Sequence, residues 1–124
     1  MLAKALFESS LDIILITDRR GRIIDIGPSS LTILGYRPAE MTGQIGARFI
    51  YPDDLERTRN EMRQARRSRQ TQSFETRYVH KNGSVVSLAW SGVWSESEEL
   101  HFFIGRDVTA AKLVERRKND SWRR

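Results

Sequence analysis

The residues able to do chemistry are few. The chain has no cysteine and two histidines, His80 and His101. That composition excludes disulfides, thiolate metal sites and cysteine nucleophiles. Two carboxylate groupings are left for acid–base work, Asp53-Asp54 and Glu96 with Glu98 and Glu99. The first falls at a predicted helix start, where the helix dipole favours acids, and the second in a predicted hairpin connection, so both read as ordinary solvated positions. No nucleophile elbow, Walker loop, HExxH zinc signature or Gly-rich dinucleotide fingerprint is present, and the chain does not read as an enzyme. His80 beside Asn82-Gly83 and His101 at the start of the last strand both read as sheet-edge residues, not as ligands of a metal or haem.

Charge points to the tail. Residues 110–124 carry Lys112, Arg116, Arg117, Lys118, Arg123 and Arg124 against Glu115 and Asp120, which places +4 of the net +5 there. A nucleic-acid binder would show a basic stripe on its body and a reading element, and neither a helix-turn-helix nor an RNA-binding aromatic signature occurs. A second cluster, Arg63, Arg66, Arg67 and Arg69, lies on a helix predicted from Asp53 to about Arg69. It reads as the solvated face opposite the apolar stripe Leu55, Thr58, Met62 and Ala65, with a phosphate-binding face as the alternative. The 124 residues suit one domain with a modest core. No apolar run approaches the length of a membrane span, and no secretory segment is evident. The expectation is a cytoplasmic piece that makes no membrane contact itself.

The elements that must position these residues follow from periodicity and turn chemistry. Phe74, Thr76 and Tyr78 alternate with Glu75 and Arg77, the period of a half-buried strand. Asn82-Gly83 supplies a tight turn, Val85 to Trp94 a second strand, Ser95 to Glu99 a polar connection, and Leu100 to Val108 a third strand, giving an antiparallel meander. Upstream, a short helix is predicted from Pro28 to Tyr36, capped by Gly27 with help from Ser29 or Ser30 and stopped by Gly35. Gly43 and Gly46 break Pro38 to Ile50 into short helical turns. Residues 2–8 suggest an amphipathic helix, and the tail from Ala110 is helix-compatible around Leu113 and Val114. The fold class is α+β: a five-stranded antiparallel sheet with helices on one face.

Several segments occur in an order that resembles the PAS domain, the small sensory module of bacterial signalling proteins, over nearly the whole chain. Leu11 to Asp18, Arg19-Arg20-Gly21-Arg22 and Ile23 to Ile26 look like its opening hairpin. Leu34-Gly35-Tyr36 and Glu40-Met41-Thr42-Gly43 resemble its "LGY" and "E-x-x-G" segments, and Tyr51-Pro52-Asp53-Asp54 resembles its "H-P-D-D" turn. Lys81-Asn82-Gly83-Ser84 and Gly105-Arg106-Asp107-Val108-Thr109 resemble its hairpin and closing "DIT" motif. Gly27 stands where the family often has Asn, and Tyr51 where it often has His. The resemblance divides the chain into a flanking helix at 1–9, the domain at 10–109 and the start of a linker helix at 110–124. It also implies a core pocket holding haem, flavin, a metabolite or nothing. The cofactor is left unknown, with two types unsupported: a covalent flavin adduct needs a cysteine, and family haem sensors use a histidine on the long helix, which has none.

Strand parity sketches the pocket. If Phe74 faces the helices, so do Thr76, Tyr78, Val86, Leu88, Trp90, Phe103, Gly105 and Asp107, joined by Leu15 and Thr17 and, from the helices, Met41, Phe49 and Met62. These are core residues first. The hydroxyls of Thr17, Thr76 and Tyr78 keep a small-molecule ligand in play, because buried hydroxyls need partners in ligand, backbone or water. On the outer face, Phe102, Ile104 and Val93, with Trp94 near the strand end, need a cover, either Leu6 and Phe7 of the N-terminal helix or a second copy. The resemblance makes Asp107 and Thr109 the signal exit toward an output domain in the same polypeptide, such as a histidine kinase, a cyclic-dinucleotide enzyme (diguanylate cyclase) or a transcription factor. It implies a homodimer, and the charge distribution implies no nucleic-acid contact. The competing reading is a ligand-free dimerisation module.

Overall fold

Alternation in the sequence becomes alternation in burial. The computed structural model describes residues 2–68 and 72–122, so Arg69, Arg123 and Arg124 lie outside the described residues. The strands are β1 (Ile13–Asp18), β2 (Ile23–Ile26), β3 (Gln72–Val79), β4 (Val85–Ser95) and β5 (Leu100–Asp107). They form one antiparallel sheet in the order β2-β1-β5-β4-β3. The helices are α1 (Leu2–Ser9), α2 (Ser29–Leu34), α3 (Pro38–Met41), α4 (Leu55–Ser68) and α5 (Thr109–Trp122), with 3-10 turns at Gly46–Phe49 and Pro52–Asp54.

Only one face of the sheet is sealed. Ile13, Leu15, Phe74, Tyr78, Leu88, Trp90 and Phe103 are buried there with Leu34, Met41 and Phe49 from the helical layer. α2 stops where Gly35 takes φ 77°, the left-handed conformation that a side chain disfavours. Its start differs from the sequence expectation. Pro28 is the capping residue and no side chain caps the helix. Ser29 Oγ instead donates to Asp12 O and Ser30 Oγ to Tyr36 O, so both serines tie the helix to its neighbours.

Strand order corrects the reading of His101. The last strand in sequence is central in space, because β5 pairs with β1 on one side and β4 on the other. His101 is therefore interior, 1% exposed. Trp94 is also displaced from expectation. It shares the parity of Trp90 and lies buried on the helix-facing side, where its Nε1 donates to Glu96 Oε2 at 2.7 Å.

Candidate functional site

The centre of the inner face is filled by rings lying over glycines. Phe103 sits directly across from Gly92, and Trp90 from Gly105. A Cβ on Gly92 would come within 2.1 Å of the Phe103 ring, and one on Gly105 within 2.6 Å of Trp90. Absence of a side chain at both positions lets the two rings lie flat on the sheet. Phe74 and Tyr78 continue the array, with edge-on or tilted contacts to Phe103 and Trp90 at 6.2 and 5.8 Å between centroids. Phe74, Leu88, Trp90 and Phe103 are thus brought together as packing, with Met41 and Phe49 in the same cluster. Thr76 has its own partner. Thr58 Oγ1 donates to Asp54 O, which leaves it to accept from Thr76 Oγ1 at 3.0 Å.

The space that is left lies to one side of these rings, between β1, the start of β5 and α4. It is a cavity of about 180 Å³. Leu15, Thr17, Met62 and Tyr78 of the sequence-derived candidates line it, with Ile50 and Leu55. Its mouth is ringed by Arg19 and Arg20 from the β1–β2 turn and Arg59, Arg63 and Arg66 from α4. The turn is held in place by Asp18, whose Oδ1 accepts from the backbone N–H groups of Arg20 and Arg22 at 2.9 Å. It is clamped to the next segment by Gly46 N–H donating to Gly21 O at 2.8 Å. The cavity is smaller than the roughly 300–1,000 Å³ of sites for drug-sized ligands, so its occupant is small.

His101 lines this cavity at its arginine side. Its ring is stacked on Phe103 and packed against Trp94, at centroid distances of 5.3 and 4.6 Å. Arg66 Nη1 donates to His101 Nε2 at 3.1 Å. A guanidinium only donates, so Nε2 accepts and the neutral ring carries its proton on Nδ1. Burial pushes the imidazole down to about 4; the Arg66 charge adds to the shift and Asp18 opposes it. Nδ1 is the one buried side-chain polar atom without a partner among the described residues. The guanidinium of Arg66 is also held below its ordinary value, first by burial and then by the charges of Arg19, Arg63 and Arg67.

Asp54, read from sequence as a solvated helix-start acid, is buried at 2% exposure. It accepts the backbone N–H of Arg77 at 2.7 Å and its guanidinium at 2.7 and 3.0 Å, with Arg57 at 3.2 Å. These bonds pin the start of α4 to β3. The sequence signal that would have found the pair is Arg77 on a half-buried strand, a cation whose parity turns it away from the core. At the other end, Asp107 Oδ1 accepts from Thr109 N and Oγ1 at 2.9 and 2.6 Å, and Thr109 Oγ1 accepts from Ser87 N at 2.9 Å. β5, β4 and α5 meet in this knot. Lys112 adds an ion pair from α5 to Glu75 of β3 at 2.7 Å.

The outer face carries Ile104 at 52% and Val93 at 38% exposure, with Phe102 half-buried. Phe7 is half-buried, its carbonyl close to Gly27, while Leu6 stays 60% exposed. No described helix is long and apolar enough to cross a membrane. No cluster of three or more His, Asp or Glu that could hold a metal occurs among the described residues.

The family model described as the PAS fold matches residues 23–106. A PAS domain from Colwellia psychrerythraea is 30% identical, with 88% of this chain and 95% of that one covered and a TM-score of 0.78. The PAS domain of an HTR-like protein from Haloarcula marismortui is 27% identical over 86% of this chain and 88% of that one, TM-score 0.71. The PAS domain of the RpfR quorum-sensing receptor from Cronobacter turicensis, in complex with BDSF, is 20% identical over 82% and 98%, TM-score 0.71, a likeness of fold. No curated protein sequence matches the chain.

Proposed function

Because the chain belongs to the PAS family, we propose that it is the sensory module of a multidomain signalling protein, binding a small molecule inside the domain and passing the signal out through its flanking helices. The observation that carries this reading is the cavity beside an otherwise filled core, lined by Leu15, Ile50, Leu55 and Met62 and by Thr17, Tyr78 and His101. Structural neighbours include PAS domains in complex with BDSF, C12:0 and ethanol, and others from sensor histidine kinases. In this reading the output is a histidine kinase or a cyclic-dinucleotide enzyme in the same cytoplasmic polypeptide; a sensor histidine kinase is the parent of two of the neighbours. The exit runs through Asp107 and Thr109 into α5, whose Leu113 and Val114 are exposed and free to pair with a second copy.

A second reading, a ligand-free dimerisation module, is favoured by the exposed outer face around Ile104 and Val93. Native mass spectrometry of protein purified from the cells that make it separates the two. A sensor carries a stoichiometric mass increment that denaturation releases; bare protein under conditions that keep small ligands bound supports the dimerisation module.

A further inference from the structure

Of the arginines at the cavity mouth, Arg19, Arg20, Arg59 and Arg63 are exposed, Arg63 donating to Asn60 Oδ1 at 2.6 Å, and Arg66 is half-buried. Arg59 is paired with Glu56. Arg19, Arg20, Arg63 and Arg66, in contrast, make no ion pair among the described residues. Glu96 shares a groove with Arg19, Arg63, Arg66 and Arg67, and one of its oxygens is engaged by Trp94; Asp18 also adjoins the group, its Oδ1 accepting from the backbone N–H groups of Arg20 and Arg22. Arg66 is half-buried against His101 instead of reaching into water. Cations converging on a concave, partly desolvated mouth repel one another and focus a positive field into it. Behind them the wall carries Leu15, Ile50, Leu55 and Met62 together with the hydroxyl-bearing Thr17, Thr58 and Tyr78.

These two features define one ligand chemistry. We infer that the cavity takes an organic anion with a short apolar tail, its head lying against Arg19, Arg63 and Arg66, its tail against Leu15, Ile50 and Met62. The inference rests on the sensor reading and adds the ligand class to it. Carboxylate and phosphate heads share the required geometry, since guanidinium groups bind both through paired N–H donors. A volume of about 180 Å³, below the roughly 300–1,000 Å³ of drug-sized sites, suits a single short alkyl tail. A cationic ligand is repelled at the mouth, and a neutral one leaves the arginine charges unbalanced.

Isothermal titration calorimetry with octanoate, octyl phosphate, 1-octanol and inorganic phosphate tests this on the full chain. At least one of the two amphipathic anions should bind about tenfold or more tighter than 1-octanol, the discrimination expected of charge-assisted hydrogen bonds. The ratio of octanoate to octyl phosphate identifies the head. Arg63→Gln with Arg66→Gln should remove that preference. Equal binding of 1-octanol, inorganic phosphate binding as well as octyl phosphate, no binding of either anion, or a double variant that melts like the wild type and keeps the preference would each overturn the inference. The wild-type panel stands even if the variant fails to fold. A neutral molecule found in the native mass spectrum sinks this inference and leaves the sensor reading intact, whereas a bare protein that binds none of the four compounds removes both.

Discussion

Asp54→Asn is the substitution whose consequence follows most directly from geometry. The carboxylate is 3% exposed, while its partners Arg77 and Arg57 are 39% and 53% exposed. The guanidinium groups left behind can therefore hydrate, which keeps the loss below the roughly 3–5 kcal/mol of a fully buried pair broken on one side. The Arg77 hydrogen bond is the main reason the Asp54 carboxyl falls from 3.8 to about 2; burial opposes the shift, and the Arg77 backbone bond and the Arg77 and Arg57 charges add to it. A drop of that size corresponds to about 2 kcal/mol of folding stability from ionisation.

The direction with pH is set by the depressed value. Stability from this group is fully present above the unfolded carboxyl value of 3.8 and is lost as pH falls through about 2. About half of it remains at pH 3. Asparagine has no such titration. Urea unfolding of wild type and Asp54→Asn should thus differ by about 2 kcal/mol at pH 7 and converge by about that amount between pH 4 and 2. Wild-type and variant curves that stay parallel across that window would refute the assignment, because a purely steric cost does not depend on pH.

Four other outcomes follow from the packing. Gly92→Ala drives a methyl into the Phe103 ring, 2.1 Å away, and should cost roughly 2 kcal/mol in urea unfolding. Asp107→Ala removes the acceptor of both Thr109 bonds; it should cost about 1 kcal/mol while uncoupling input from output in the full-length protein, and unchanged signalling in an output assay would count against the exit. Ile104→Glu should convert a dimer to a monomer by analytical ultracentrifugation, and a wild type already monomeric at tens of micromolar would sink the outer-face interface. Freshly purified protein should show no flavin or haem absorption band, since there is no cysteine and α4 has no histidine.

What the sequence made legible was whatever is periodic or local. Alternation at Phe74, Thr76 and Tyr78 fixed a face, and Asn82-Gly83 fixed a turn. Knowing which strands sit side by side requires long-range pairing, and β5 lies between β1 and β4 for reasons that no window of ten residues contains. That is why His101 read as an edge residue when it is the most enclosed polar ring in the described structure. The same gap hid the cavity. Parity correctly marked Trp90 and Phe103 as inward, but whether an inward ring fills space or lines it depends on what stands opposite, here Gly92 and Gly105. Two glycines on neighbouring strands let two rings lie down over the sheet centre, and the remaining volume falls beside β1. There the arginines of a turn and of a helix, far apart in sequence, converge on one opening. Charge that reads as a solvated face on one helix acquires a different meaning once a second element brings its own cations to the same rim. A site of this kind is a property of strand order, and its chemistry is decided by which charges that order brings to one rim.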